Sequence, residues 1–205
     1  MTQLTPEFIE GMYYAICQKQ ATNIEIESII SQAKTIKQAA SIIRNLVKAQ
    51  PFINQFHGLN CNWMDHFFCV GQQPTPFQAL LLSYTGINRF VDLTENEQTY
   101  LDCLPDGVSY YKTTIANDTP NKPEIIEPAV RAIIEPIRQN QRVYLHCQSG
   151  FSRSAIVASV VMSIRLNISY SEAMKVVKIR RPIAQPQMDL LSREDAEFVI
   201  SKFNI

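Results

Sequence analysis

Arg142 to Cys147 reads as a buried strand, and Ser154 to Asn167 reads as a helix that is apolar nearly all round. Only Gln148-Ser149-Gly150-Phe151-Ser152-Arg153 lies between them. A buried strand that passes through so short a loop into a buried helix belongs in a layered α/β fold. The flanking sequence carries the same alternation. Phe67 to Gly71 reads as a strand, and Thr75-Pro76 opens a helix to about Tyr84, with Gly86 as its stop. Arg89 to Leu93 and Val108 to Thr113 read as two more strands. Glu124 to Gln139 has helical spacing, but Pro128 and Pro136 each remove a backbone donor, so a late start near Pro128 or a kink is expected. Ser169 and Glu172 form a capping box for a helix to about Arg181, which Pro182 ends, and a last helix is expected from about Gln187 to Phe203. The architecture this predicts is a three-layer α/β/α sandwich around a mainly parallel sheet.

The first 58 residues have a different texture and are read as an N-terminal helical extension, with 59–205 as the α/β domain. Thr5 before Pro6 is an N-cap for a helix to about Gln20. From Asn23 to about Ala49, Ile26, Ala33, Ala40 and Val47 recur every seven residues, with Ile29, Ile36 and Ile43 between them. Ile30, Ile42 and Leu46 widen that stripe beyond a coiled-coil seam, so packing on the chain's own domain is preferred to a partner surface.

Composition bounds the function. Apolar residues make up 46% of the 205 and the formal net charge is +0, so a packed core is available and no general attraction to nucleic acid or an anionic membrane is implied. The segment Met1 to Glu7 lacks the features of a secretory signal, and the most apolar stretch, Ala155 to Ile164, is too short to span a bilayer. Five cysteines at irregular spacing suggest neither a disulfide framework nor zinc ligands, so a reducing, cytoplasmic setting is expected, with no metal and no cofactor.

The short loop has the makings of an anion cradle with a nucleophile at its floor. Cys147 would face the N-terminus of the buried helix, where loop N–H groups and the helix dipole favour the thiolate. The same donors suit a phosphate. Gly150 fits an unusual backbone angle or a close approach to the anion. Arg153 can grip two phosphoryl oxygens at once and stabilise charge in the transition state. Ser154 can cap the helix, donate a hydrogen bond to the thiolate, or do both.

His146-Cys147-Gln148-Ser149-Gly150-Phe151-Ser152-Arg153-Ser154 resembles the His-Cys-x-x-Gly-x-x-Arg-Ser signature of the cysteine-dependent protein tyrosine phosphatases, and within them the small dual-specificity phosphatases. The similarity covers roughly Asn62 to Phe203 and leaves the N-terminal extension unexplained. It implies Cys147 as nucleophile, Arg153 as phosphate ligand, Ser154 beside the thiolate, and residues 148–153 as the phosphate cradle. It also implies a general acid. Ile115-Ala116-Asn117-Asp118-Thr119 resembles the family's acid loop and puts Asp118 in that role, ahead of Asp106 in a Pro-Asp-Gly turn and Asp92 at a strand end. Arg180-Arg181-Pro182 and Gln185-Pro186-Gln187 resemble the stretch that follows in the family, where a glutamine positions water. Gln187 fits better and Gln185 is the alternative. His146 would hold the loop backbone.

Other conspicuous residues read more plainly. His57 and His66 have no matching ligand cluster, Cys103 is an ordinary thiol, Cys69 is core, and Trp63 packs. None of Gln148, Ser149, Phe151 and Ser152 is basic, which argues against a polyphosphoinositide and for a phosphoprotein. The expected activity is hydrolysis of phosphotyrosine and phosphoserine/phosphothreonine. The alternatives are the same chemistry on a phospholipid, a nucleotide or an RNA 5′ end, or a non-catalytic phosphate-reading scaffold.

Overall fold

The computed structural model describes residues 59–203 and Ala39. The expected N-terminal helices lie outside the described residues. The described chain falls into two compact units. The smaller comprises Pro74–Gly86 and Gln98–Gly107. It holds helix α1 (Pro76–Tyr84), a 3-10 turn at Leu101–Cys103, and the turn of Asp106 and Gly107. Thr75 caps α1 as expected, and Gln78 reciprocates to complete a capping box. Ala79, Leu80, Leu81 and Leu82 of α1 are buried, as are Tyr100, Cys103 and Leu104.

The larger unit carries a five-stranded sheet in the order β1-β2-β5-β3-β4. The strands are β1 (Cys61–Trp63), β2 (Phe68–Gly71), β3 (Ile87–Asp92), β4 (Ser109–Lys112) and β5 (Arg142–His146). Only β1 runs antiparallel to its neighbour. This is the mainly parallel α/β sheet that the alternation of elements requires. The edge strand β1 was not expected; its Cys-Asn-Trp sequence shows no period-2 pattern long enough to read. Strand β5 is central, flanked by β2 and β3, so its carboxyl end opens at the middle of the sheet's edge. That edge is where open α/β sheets place their ligands.

Helices α2 (Pro123–Arg138), α3 (Arg153–Leu166), α4 (Tyr170–Arg180) and α5 (Arg193–Ser201) complete the unit. Val143 and Leu145 of β5, Phe68 and Val70 of β2, and Val91 of β3 join Ile126, Val130, Ile133, Val157 and Val161 in one core. Every residue of α3 from Arg153 to Ser163 is buried, as its all-round apolar character predicts. Ser169 and Glu172 form the expected capping box on α4.

Two expectations need correction. Helix α2 does not start late: it runs continuously from Pro123, with Pro128 and Pro136 inside it. A proline inside a helix costs ~3 kcal/mol. Against that, Ile126, Ala129, Val130, Ile133, Ile134 and Ile137 form one buried stripe, and large aliphatic side chains contribute roughly 1.5–3 kcal/mol each on full burial. Pro128 falls early, so the carbonyl it leaves without a donor is that of Glu124, an exposed residue of the first turn. Pro136 falls in the last turn, where its own carbonyl accepts from Gln139 and Gln141. The second correction is at the C-terminal end. A 3-10 turn at Met188–Leu190 precedes α5, which starts at Arg193 because the Ser192 hydroxyl caps the Asp195 N–H at 3.1 Å. Among the described residues, no single helix is long and apolar enough to cross a membrane.

Candidate active site

Strand β5 ends at His146 and delivers Cys147 to the mouth of α3. Cys147 is 3% exposed. Its Sγ accepts the Gly150 N–H at 3.3 Å and lies 3.4 Å from Ser154 Oγ. Gly150 has φ +71°, a left-handed conformation that turns its N–H back toward the sulfur. The loop is held from outside as well. The Gln148 carbonyl accepts from Gln73 N–H at 3.0 Å, and the Gly150 carbonyl accepts from Arg181 Nε at 2.8 Å.

Arg181 is fully buried, and its guanidinium also donates to the side chains of Asn60 (3.2 Å) and Asn62 (2.8 Å) and to the Asn60 carbonyl (3.2 Å). A buried cation needs such a set of acceptors. They connect the end of α4, the start of β1 and the loop beneath one charge. Burial pulls the Arg181 guanidinium below its ordinary value, while nearby thiols and the Tyr144 hydroxyl act in the opposite direction. The sequence displays Arg181 only as part of an Arg-Arg-Pro helix ending. Its buried role depends on partners more than a hundred residues away and has no local signal.

Arg153 is 9% exposed and opens α3. Its Nη1 donates to the Ile115 carbonyl at 3.4 Å, while its Nε is buried without a hydrogen-bond partner. A buried, unsatisfied guanidinium N–H is a group that an anion would complete. Both groups line a cavity of ≈ 230 Å³, together with Asn117, Ser149, Phe151, Ser152, Gln185 and Gln187. Cys147, Ser149, Phe151, Ser152 and Arg153 thus line one cavity, and Ser154 Oγ lies 3.4 Å from the sulfur. Gln148 is exposed and acts through its backbone. Gln187 is tied to the cradle, its N–H donating to Ser152 Oγ and the Ser152 hydroxyl donating to its Oε1, both at 3.4 Å. The Gln185 N–H donates to the Phe151 carbonyl at 2.9 Å.

Asp118 is exposed in the bend of residues 117–119 and is not among the residues lining the cavity; its neighbour Asn117 is. Asp92, an alternative acid on sequence grounds, is fully buried and accepts from the Thr94 N–H and the Tyr110 hydroxyl, each at 2.8 Å. Burial and this carboxylate push the Tyr110 hydroxyl up. Asp106 sits in the turn that Gly107 completes at φ +86°. Among the described residues Cys61, Cys69, Cys103 and Cys147 form no disulfide, and burial raises the Cys69 thiol well above its ordinary value, as suits a core residue. Among the described residues, no group of three or more His, Cys, Asp or Glu side chains could hold a metal ion.

His146 pairs with Asp92 in the β3–β5 register and is fully buried. Its Nδ1 lies 3.4 Å from the Cys147 carbonyl and 3.7 Å from Asp92 Oδ1. Both are acceptors, so the Nδ1–H tautomer satisfies the contact. Burial pulls the ring down from 6.5 to about 4. The unfolded chain therefore takes up this proton first as pH falls. The stability it contributes is complete above about pH 6.5 and is lost between there and about pH 4. Urea midpoints should decline across the upper part of that window, before the carboxylates titrate; a flat profile there would contradict a neutral buried His146.

A model of the dual specificity phosphatase catalytic domain matches residues 70–193. The chain belongs to that family. This dual specificity phosphatase domain resembles a protein of Invertebrate iridescent virus 3 named as a tyrosine phosphatase (067L), with 29% identity over 53% of the chain and 48% of the relative. The chain therefore spans about half the length of that relative. Among solved structures it resembles the active form of Tk-PTP, at TM-score 0.56 and 22% identity over 70% of this chain and 95% of the other. It also resembles PTPMT1 in complex with PI(5)P, at TM-score 0.60 and 17% identity over 70% and 96%. These two likenesses describe the fold.

Proposed function

We propose that this chain hydrolyses phosphate monoesters through a covalent phosphocysteine at Cys147, with phosphotyrosine and phosphoserine/phosphothreonine side chains of proteins as substrates. The observation that carries this reading is that Cys147 and Arg153, whose Nε is buried without a hydrogen-bond partner, line one small cavity. In the first step Sγ attacks phosphorus in line, the S–P bond forms and the P–O bond to the leaving alcohol or phenol breaks. Asp118 gives its proton to the departing oxygen. The loop N–H groups and Arg153 take up the charge on the equatorial oxygens. In the second step water attacks phosphorus, Asp118 receives its proton, and the sulfur leaves as thiolate with the Ser154 hydroxyl 3.4 Å away to donate to it. Gln187, which lines the cavity, would orient that water, with Gln185 of the same lining as the alternative.

The choice of phosphoprotein rests on the cavity lining. Arg153 is the only cationic side chain in it; the rest of the polar rim consists of amides and hydroxyls. Such a rim suits a single phosphate on a peptide better than an inositol ring with several. Free cysteines suit a reducing compartment. The test is a substrate panel run in the presence of EDTA: phosphotyrosine, phosphoserine and phosphothreonine peptides against vesicles containing PI(5)P. Turnover of the peptides is expected, with phosphotyrosine fastest because phenolate leaves more readily. Turnover confined to the lipid would replace the phosphoprotein reading with that of a lipid phosphatase.

A further inference from the structure

Asn121 lies three residues beyond Asp118 and has no place in the cavity, yet it is 2% exposed and its side-chain amide is heavily used. Its Oδ1 accepts the Ala116 N–H at 2.9 Å. Its Nδ2 donates to the Ala116 carbonyl at 3.1 Å, the Thr119 carbonyl at 3.3 Å and the Leu190 carbonyl at 3.2 Å. Its backbone N–H also donates to Leu190, at 2.8 Å. The bend that carries Asp118 is therefore clasped from inside at both ends. The same amide ties it to the turn just after Gln185 and Gln187, 69 residues along the chain. At the loop's entry, Ile115 is held by its N–H to the Leu93 carbonyl (3.2 Å) and by its carbonyl to Arg153 Nη1 (3.4 Å). Asp118 has no such anchor of its own: it is exposed in the middle of the bend.

We propose that Asn121 is the positioning residue of the acid loop, holding residues 116–119 at the distance from the cradle at which Asp118 transfers its proton. This rests on the reading of Asp118 as general acid. The asparagine amide suits the task because it offers an acceptor and two donors in one plane, which a backbone bend of mixed N–H and C=O groups requires. A carboxylate or an aliphatic residue of similar size satisfies only part of it.

A purely structural role would slow every substrate alike. A role through the acid has a signature, because protonation matters most when the leaving group is basic. The experiment measures kcat/KM for a series of aryl phosphates, from nitrophenols to phenol, with wild type, Asn121→Ala, Asp118→Asn and the double variant. Thermal melting checks that each is folded. Asp118→Asn is expected to lose ~10²–10⁴-fold on phenyl phosphate and far less on the most acidic phenol. Asn121→Ala is expected to lose roughly 10-fold or more on phenyl phosphate with the same slant, and to cost nothing further in the Asp118→Asn background. A steep profile for Asp118→Asn with a level one for Asn121→Ala, or losses that add in the double variant, would overturn the positioning role alone. A level loss for Asp118→Asn would remove the acid assignment and this proposal with it. If Asn121→Ala does not fold, Asn121→Asp keeps the acceptor for Ala116, loses the donors, and faces the same criterion.

Discussion

Replacement of Cys147 by serine is expected to abolish hydrolysis of a generic aryl phosphate, lowering kcat/KM by roughly 10⁴–10⁶-fold. The loss is chemical rather than steric. Serine has almost the same shape, and its hydroxyl can accept the Gly150 N–H and meet Ser154 as the sulfur does at 3.3 and 3.4 Å. The fold and the phosphate cradle should therefore survive. What disappears is the sulfur nucleophile; a neutral hydroxyl with no adjacent base is not activated at this site. Inorganic phosphate should still bind the variant through Arg153 and the loop N–H groups, with an affinity within a few-fold of wild type. Loss of turnover with binding retained separates the nucleophile from the cradle. Loss of both would mean that the substitution had disturbed the loop.

The second large effect concerns Gly150. A methyl group there would lie 2.6 Å from both the carbonyl carbon and the oxygen of Gly71, and 2.6 Å from Arg181 Nη2. Two of those neighbours are backbone at the end of β2, held by pairing with β1 on one side and β5 on the other. The residue is also at φ +71°, where an L side chain is strained. Gly107 provides the control: its φ is +86°, but a methyl group would meet nothing within 4 Å. Gly107→Ala should thus cost only the backbone term, about 1–2 kcal/mol, with activity unchanged. Gly150→Ala should pay the same term plus ~1–3 kcal/mol of overpacking. It should also lose ~10²-fold or more in kcat/KM, because relief of the clash moves the Gly150 N–H off the sulfur and its carbonyl off Arg181. Urea midpoints and kcat/KM on the pair decide it. Equal behaviour of the two variants would show that the contact with Gly71 and Arg181 is not what shapes the loop.

The elements that sequence reading located are those whose signals are local. The β5–loop–α3 segment announces itself by an apolar strand, a glycine at the tight position and a helix without a polar face. The caps of α1 and α4 are written within four residues of each other, at Thr75 and Gln78 and at Ser169 and Glu172. What sequence reading missed is decided by distant partners. The two prolines of α2 point to a late start that a stripe of buried isoleucines overrides. Strand β1 exists because β2 offers an edge to pair with, and nothing in three residues reveals that. Arg181 looks like any basic residue at a helix end until Asn60, Asn62 and Gly150 converge on it. Asn121 looks like a loop asparagine until its amide is followed to Leu190. The proposed nucleophile and its proposed phosphate ligand were legible because they share one loop. The residues that hold that loop and the acid loop in place were not, because they come from the far ends of other elements.

The central claim is a covalent phosphoryl group on the Cys147 sulfur, and rapid acid quench during turnover of an aryl phosphate, followed by peptide mass analysis, tests it directly. The account predicts one phosphoryl group on the peptide containing Cys147, formed in the first turnover, lost on chase with water, and absent from Cys147→Ser. A phosphoryl group on another residue, or steady turnover by Cys147→Ser, would contradict it.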